Sequence, residues 1–163
     1  MKPVDQLFER ATLTIARRLV PQGWRGHDRA PDNLSDLQTL WDKCDRFGGP
    51  VIVSNLHCDR TVFSSPAVNM AFRAWHDFRH ITESAEFDDV GEHEVHNAMA
   101  RDLAQWRVER GIDIMGMRRA YALLEAENLG QLAYWRAYGA PPVDQRTFAL
   151  GYLAARGLLQ ERE

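Results

Sequence analysis

Three helix-length segments follow one another between Ser65 and Tyr138 with only short breaks, and short breaks make neighbouring helices antiparallel. Ser65-Pro66 pairs an N-cap residue with a first-turn proline, so a helix is expected from there to about residue 83. The acidic stretch 84–90 reads as a loop. Gly91 precedes a second helix over about 92–109, and Gly111 breaks it. A third runs from about 115 to 138 and stops at Gly139-Ala140-Pro141-Pro142. A last helix, over about 144–160, carries Phe148, Leu150, Tyr152, Leu153 and Leu158 and is expected to pack over the others.

The first third of the chain adds two shorter helices. Val4, Leu7, Phe8, Ala11, Ile15 and Leu19 recur at helical spacing over residues 4–19, with Pro3 at the start. Residues 21–33 read as a loop from their Pro, Gly and Asn content. Ser35 and Gln38 form a capping box for a helix over about 36–46, broken by Gly48-Gly49-Pro50. Val51-Ile52-Val53 is short, β-branched and flanked by turn residues, and Thr61-Val62-Phe63 is its expected hairpin partner. The predicted fold is mainly α: one helical domain over residues 1–163, a bundle with a small β-hairpin near residues 50–64.

No run approaches the roughly 18 apolar residues of a membrane span, and Met1-Lys2-Pro3-Val4-Asp5 lacks a signal-peptide core. A cytoplasmic protein that does not enter the membrane is the expectation. The net charge of −3 argues against a broad nucleic-acid surface. Cys44 and Cys58 are expected as free thiols. The helical surfaces would suit a homodimer.

Four of the 6 histidines fall between Phe72 and Asn97. His76 and His80 are four apart, and so are Glu92 and His96, so each pair projects from one helical face. Folding the two helices across the 84–91 connection sets the pairs at matching levels. Two imidazoles facing a carboxylate and an imidazole form a candidate site for a divalent zinc, manganese or iron ion. Asp77, beside His76, is expected to orient that ring or act as a base. The returning third helix is expected to bring Glu125 as a second proton-handling group. Asn128 and Gln131 would join as polar partners on the same strip. Trp75, Trp106 and Trp135 are read as core.

The segment Asn69-x-x-Phe72-Arg73-Ala74-Trp75-His76-Asp77, then His80, Phe87, Gly91-Glu92, Glu125 and Gly130-Gln131, resembles a group of uncharacterised bacteriophage- and plasmid-borne proteins. The resemblance covers about residues 50–135. It implies that His76, Asp77, His80, Glu92, Glu125 and Gln131 belong to one pattern, acting in a bacterial cytoplasm. His96 stands outside it.

The first functional expectation is a metal-dependent hydrolase acting on a small substrate, with a nucleotide or other phosphoester fitting the phage setting. His76, His80, Glu92 and His96 would be the ligands, and Asp77 or Glu125 would move protons. A ferritin-like di-iron oxidase is a second reading, although the Glu-x-x-His spacing of such sites is absent. A phosphohydrolase using His57, His76-Asp77 and Asp113 is a third. A virion-associated or host-interaction protein, with the histidines in a buried polar network, is the non-enzymatic reading.

Overall fold

The computed structural model describes residues 1–159. Helix α1 (Gln6–Leu19) starts where Asp5, rather than Pro3, caps it: the Asp5 side chain accepts from Phe8 N. Its stripe of Phe8, Ala11, Ile15 and Ala16 is buried. Strand β1 (Trp24–His27) follows, then helix α2 (Leu34–Phe47) and strand β2 (Val51–Ser54). Asn33, not Ser35, caps α2, accepting from Asp36 N. Helices α3 (Pro66–Glu83) and α4 (Asp89–Glu109) form the central hairpin. Ser65 precedes α3 as expected, although its side chain makes no capping hydrogen bond.

The third long helix is continuous but irregular. A 3₁₀ turn at Met115–Met117 leads into α5 (Arg118–Glu125), then a π-helical turn at Ala126–Gly130, then α6 (Gln131–Tyr138). Helix α7 (Gln145–Ala155) is capped by Asp144, which accepts from Thr147 N. The expected end of this helix at residue 160 lies outside the described residues. The mainly helical architecture with a small β element is as the sequence predicts.

The hairpin is not. Val51–Ser54 pairs with Trp24–His27 in a parallel sheet, in the register Trp24↔Val51 to His27↔Ser54. A parallel pair needs a crossover, and α2 supplies it, so this corner is a βαβ unit. Gly26 suits the first strand because a Cβ there would come within 2.4 Å of Met70 Sδ on α3. Thr61, Val62 and Phe63 are buried without forming a strand. Val62 O accepts from Val4 N at 2.8 Å, and Phe63 stacks on Phe8 with ring centroids 5.4 Å apart. That segment anchors the N-terminus to the bundle.

Helix α3 is the hub: α1, α2, α4 and both strands pack against it. One apolar core lies between α1, α3, α4 and α5, and includes Ile15, Phe72, Trp75, Met99, Leu103, Trp106 and Leu123. A smaller one, with Leu37, Trp41, Val51 and Val53, seats the βαβ unit on Ala74 of α3. Cys44 and Cys58 are buried free thiols. Among the described residues no helix is long and apolar enough to cross a membrane.

Candidate metal centre

Helix α3 presents two side-chain pairs to α4, one residue out of step. Trp75 and Arg79 turn to Asp102, whereas His76 and His80 turn to Glu92. Successive residues are rotated by about 100°, so both pairs can face one neighbour along adjacent stripes. Trp75 Nε1 donates to Asp102 Oδ2 at 2.7 Å, and the Arg79 guanidinium grips both oxygens of the same carboxylate.

In the second stripe Glu92 spans both rings. Its Oε2 lies 3.1 Å from His76 Nε2 and its Oε1 lies 3.4 Å from His80 Nε2. Among the described residues His76, His80 and Glu92 are the group able to hold an ion, with candidate ligand atoms all within 4.8 Å of one another. Nitrogen and oxygen ligands bound at about 2.0–2.1 Å in a tetrahedron sit roughly 3.3 Å apart, so these separations suit one ion.

His80 is fixed on every side. It is fully buried, and its ring stacks on Phe87 at 3.9 Å with an interplanar angle of 4°. Its Nδ1 is 2.9 Å from Ala85 O. A carbonyl oxygen only accepts, so Nδ1 carries the donated proton. The ring's Nε2 is thereby aimed at Glu92 Oε1, 3.4 Å away, and this buried atom makes no hydrogen bond. An ion between the two would be held by the Nε2 lone pair and the carboxylate together. Backbone-carbonyl anchoring of the distal nitrogen is the usual support of a metal-binding histidine.

His76 has Asp77 Oδ1 at 3.7 Å from its Nδ1, so Asp77 acts on the ring that faces Glu92. Burial disfavours the imidazolium, but Glu92 and Asp77 outweigh it and lift His76 to about 10. Burial likewise opposes the Glu92 charge, and the two histidines overcome it, holding Glu92 far below the usual carboxylate range.

The triad opens on a cleft of about 530 Å³ that His76 and Glu92 help to line. Phe87, Leu132, Trp135 and Pro141 supply apolar wall, and Glu127, Asn128 and Gln131 supply polar groups from the π turn and the residue after it. A smaller cavity of about 200 Å³ adjoins it, sharing His76, Glu127, Asn128 and Gln131. Burial pushes Glu127 up to about 8, against the hydrogen bond from Gln131 and the charge of Arg73.

The expected set is therefore only partly assembled. His76, His80 and Glu92 come together, Asp77 stands beside them, and Asn128 and Gln131 line the cleft. His96 and Glu125 do not join them. Both line a different cavity of about 340 Å³, with Tyr121 and Arg156. There burial lowers the pKa of His96, opposed by Glu125, and Glu125 pairs with Arg156 at 3.1 Å. One turn beyond Glu92, His96 lines that cavity with Tyr121, Ala122 and Glu125 of α5. Trp135 is no core residue: it is 52% exposed at the cleft. His57 and Asp113 lie outside the ion-holding group. Glu127, Asp102 and Phe87 carry parts of the site that spacing alone did not assign.

Gly91 lets the α4 start close against the preceding loop. A Cβ there would stand 1.9 Å from Glu86 O, a backbone atom that cannot swing away. Gly91→Ala is expected to cost about 2–3 kcal/mol in urea unfolding, as an overpacked site does. Because Glu92 is the next residue, the same variant is expected to bind zinc more weakly. A variant with unchanged stability would show that the loop gives way freely.

Comparison of the chain with family models, with curated proteins and with solved structures found no match.

Proposed function

We propose that the protein is a metal-dependent hydrolase whose single divalent ion is held by His76, His80 and Glu92. The observation that carries this reading is His80 Nε2: a fully buried ring nitrogen, tautomer set by Ala85 O, aimed at a carboxylate with no hydrogen bond to satisfy it. Two histidines and one glutamate are a ligand set of hydrolytic zinc sites, which leave a position open for water. A bound divalent cation would lower the pKa of that water towards ~7.

The chain's own groups supply the rest. Ala85 O and the Phe87 ring hold His80 in place, and Asp77 steadies His76. Glu127 takes the proton-handling part that the sequence assigned to Glu125. Raised to about 8, it holds its proton at neutral pH and can deliver it to a leaving group in the cleft. Zinc fits best by donor type, with manganese and iron as the other ions of the same reading.

Elemental analysis of untagged protein tests this. One ion per chain is expected, lost in His76→Ala and Glu92→Gln. Glu127→Gln is expected to keep the ion and to lower turnover of a hydrolysable substrate by about 10²–10⁴-fold. Two irons per chain with a visible absorption band would instead carry the di-iron reading. Metal-free protein that gains neither ion nor stability from added zinc would leave the histidines as a self-paired polar network.

A further inference from the structure

The π turn does something for the cleft that the metal triad does not. Glu127 and Asn128 are 9% and 5% exposed, and both line the two adjoining cavities. Asn128 Nδ2 is committed to Met99 Sδ at 3.3 Å, and thioether sulfur accepts without donating, so the amide orientation is set. That leaves Asn128 Oδ1 buried with no protein partner, and Glu127 Oε1 is in the same condition. Consecutive residues of a helix normally diverge, but here both reach the same two cavities. A buried acceptor without a donor is costly, and two of them side by side ask for a ligand that brings donors.

The walls say what shape the ligand has. Trp135 is half exposed along one side of the cleft, with Leu132 and Phe87 also lining it. Such surfaces favour a flat group, and the indole face favours a cationic one. The charge balance points the same way. Glu92 is balanced by the His76 imidazolium, and Arg136, the cleft's one arginine, is paired with Asp89. That leaves the Asp32 carboxylate as the unbalanced charge of the lining. Arg73, in the adjoining cavity, donates to Ser54 O at 2.8 Å. Among the described residues, the larger cleft offers a phosphate no guanidinium without a carboxylate partner.

We infer that the substrate is a planar, neutral or cationic group presenting a pair of N–H donors, of the amidine, guanidine or amino-heterocycle kind, read by Asn128 Oδ1 and Glu127 Oε1. The inference rests on the hydrolytic reading for turnover, but the recognition surface is separate from the ion's ligands. It replaces the phosphoester expected from the phage setting.

Isothermal titration of the full chain, with and without one equivalent of zinc, tests it with benzamidine and phenyl phosphate as probes. Benzamidine is expected to bind at least tenfold tighter than phenyl phosphate. Asn128→Leu and Glu127→Gln should each weaken benzamidine by roughly tenfold: leucine removes the acceptor, and glutamine, unlike glutamate, cannot give up a proton to ionise opposite the bound amidinium. Trp135→Ala, at an exposed position, should weaken it as well without disturbing the fold. Zinc affinity should stay at the wild-type value in all three. Phenyl phosphate binding as tightly as benzamidine would overturn the inference. So would an absence of benzamidine binding, or benzamidine binding indifferent to both Glu127→Gln and Trp135→Ala. Benzamidine binding in a chain that takes no zinc would remove the hydrolase reading and leave this ligand class standing. Zinc binding without benzamidine binding would do the reverse.

Discussion

Asp102→Ala is expected to destabilise the protein by about 3–5 kcal/mol in urea unfolding, the scale for breaking a buried, hydrogen-bonded ion pair from one side. Asp102 is 6% exposed and Trp75 is fully buried. Removing the carboxylate strands Trp75 Nε1 in the core and leaves the Arg79 guanidinium, 18% exposed, without its main partner. Neither donor has a second acceptor within the α3–α4 contact, apart from the weaker Arg79 approaches to Thr82 and Glu83. Arg79→Met should cost less, because the carboxylate keeps the Trp75 donor. A loss below ~1 kcal/mol for Asp102→Ala would place this cluster with ordinary surface pairs. The same variant should weaken zinc binding, since Trp75 and Arg79 adjoin His76 and His80 on one helix. The ion pair and the candidate metal site are two successive clamps between the same helices.

What could be seen in the sequence was whatever helical period controls. The α3–α4 hairpin, its short acidic turn and the meeting of His76, His80 and Glu92 all follow from four-residue spacing and a short connection. Asp102 had a usable signal. It is a charged residue within the buried run of α4 that includes Val95, Ala98, Met99, Leu103 and Trp106, where an unpaired carboxylate is not tolerated. Glu127 had none. An ordinary α-helix through Glu125, Asn128 and Gln131 puts those three on one strip, with Glu127 turned well away from Glu125. The π turn at Ala126–Gly130 adds a residue to one turn and resets the phase beyond it. It is held by packing: a Cβ on Gly130 would lie 3.2–3.3 Å from the Tyr152 and Phe148 rings of α7. Such a contact between distant segments leaves no local pattern. The β1–β2 pairing escaped for the same reason, because Trp24–His27 becomes a strand only when α2 lays it beside Val51–Ser54.

Zinc added to metal-free protein is expected to raise Tm by about 5–10 °C near pH 7.5, and the gain should grow as pH rises. Free zinc at a hundredfold its Kd stabilises by about 2.7 kcal/mol, and a chain of this size gains roughly 2–4 °C per kcal/mol. The pH dependence follows from His76 and Glu92. In the metal-free protein His76 is raised from 6.5 to about 10, so its stabilising charge is fully present below 6.5 and is lost as pH climbs towards 10. Glu92 is lowered from its ordinary 4.5, so its contribution is present above that value and is lost only in strong acid. The metal-free protein is therefore expected to be most stable between about pH 4.5 and 6.5 and to soften through pH 7–10. Zinc must displace the His76 proton, so acid weakens binding and alkali favours it. Two opposed trends result: metal-free Tm falls from pH 7 to 9.5 while the zinc increment rises. His80→Ala should abolish the increment at every pH, measured against its own metal-free form so that the lost packing on Phe87 cancels. His76→Gln should remove both the increment and the alkaline softening. A zinc increment that survives His80→Ala, or one that does not change between pH 6 and pH 9, would place the ion somewhere other than between α3 and α4.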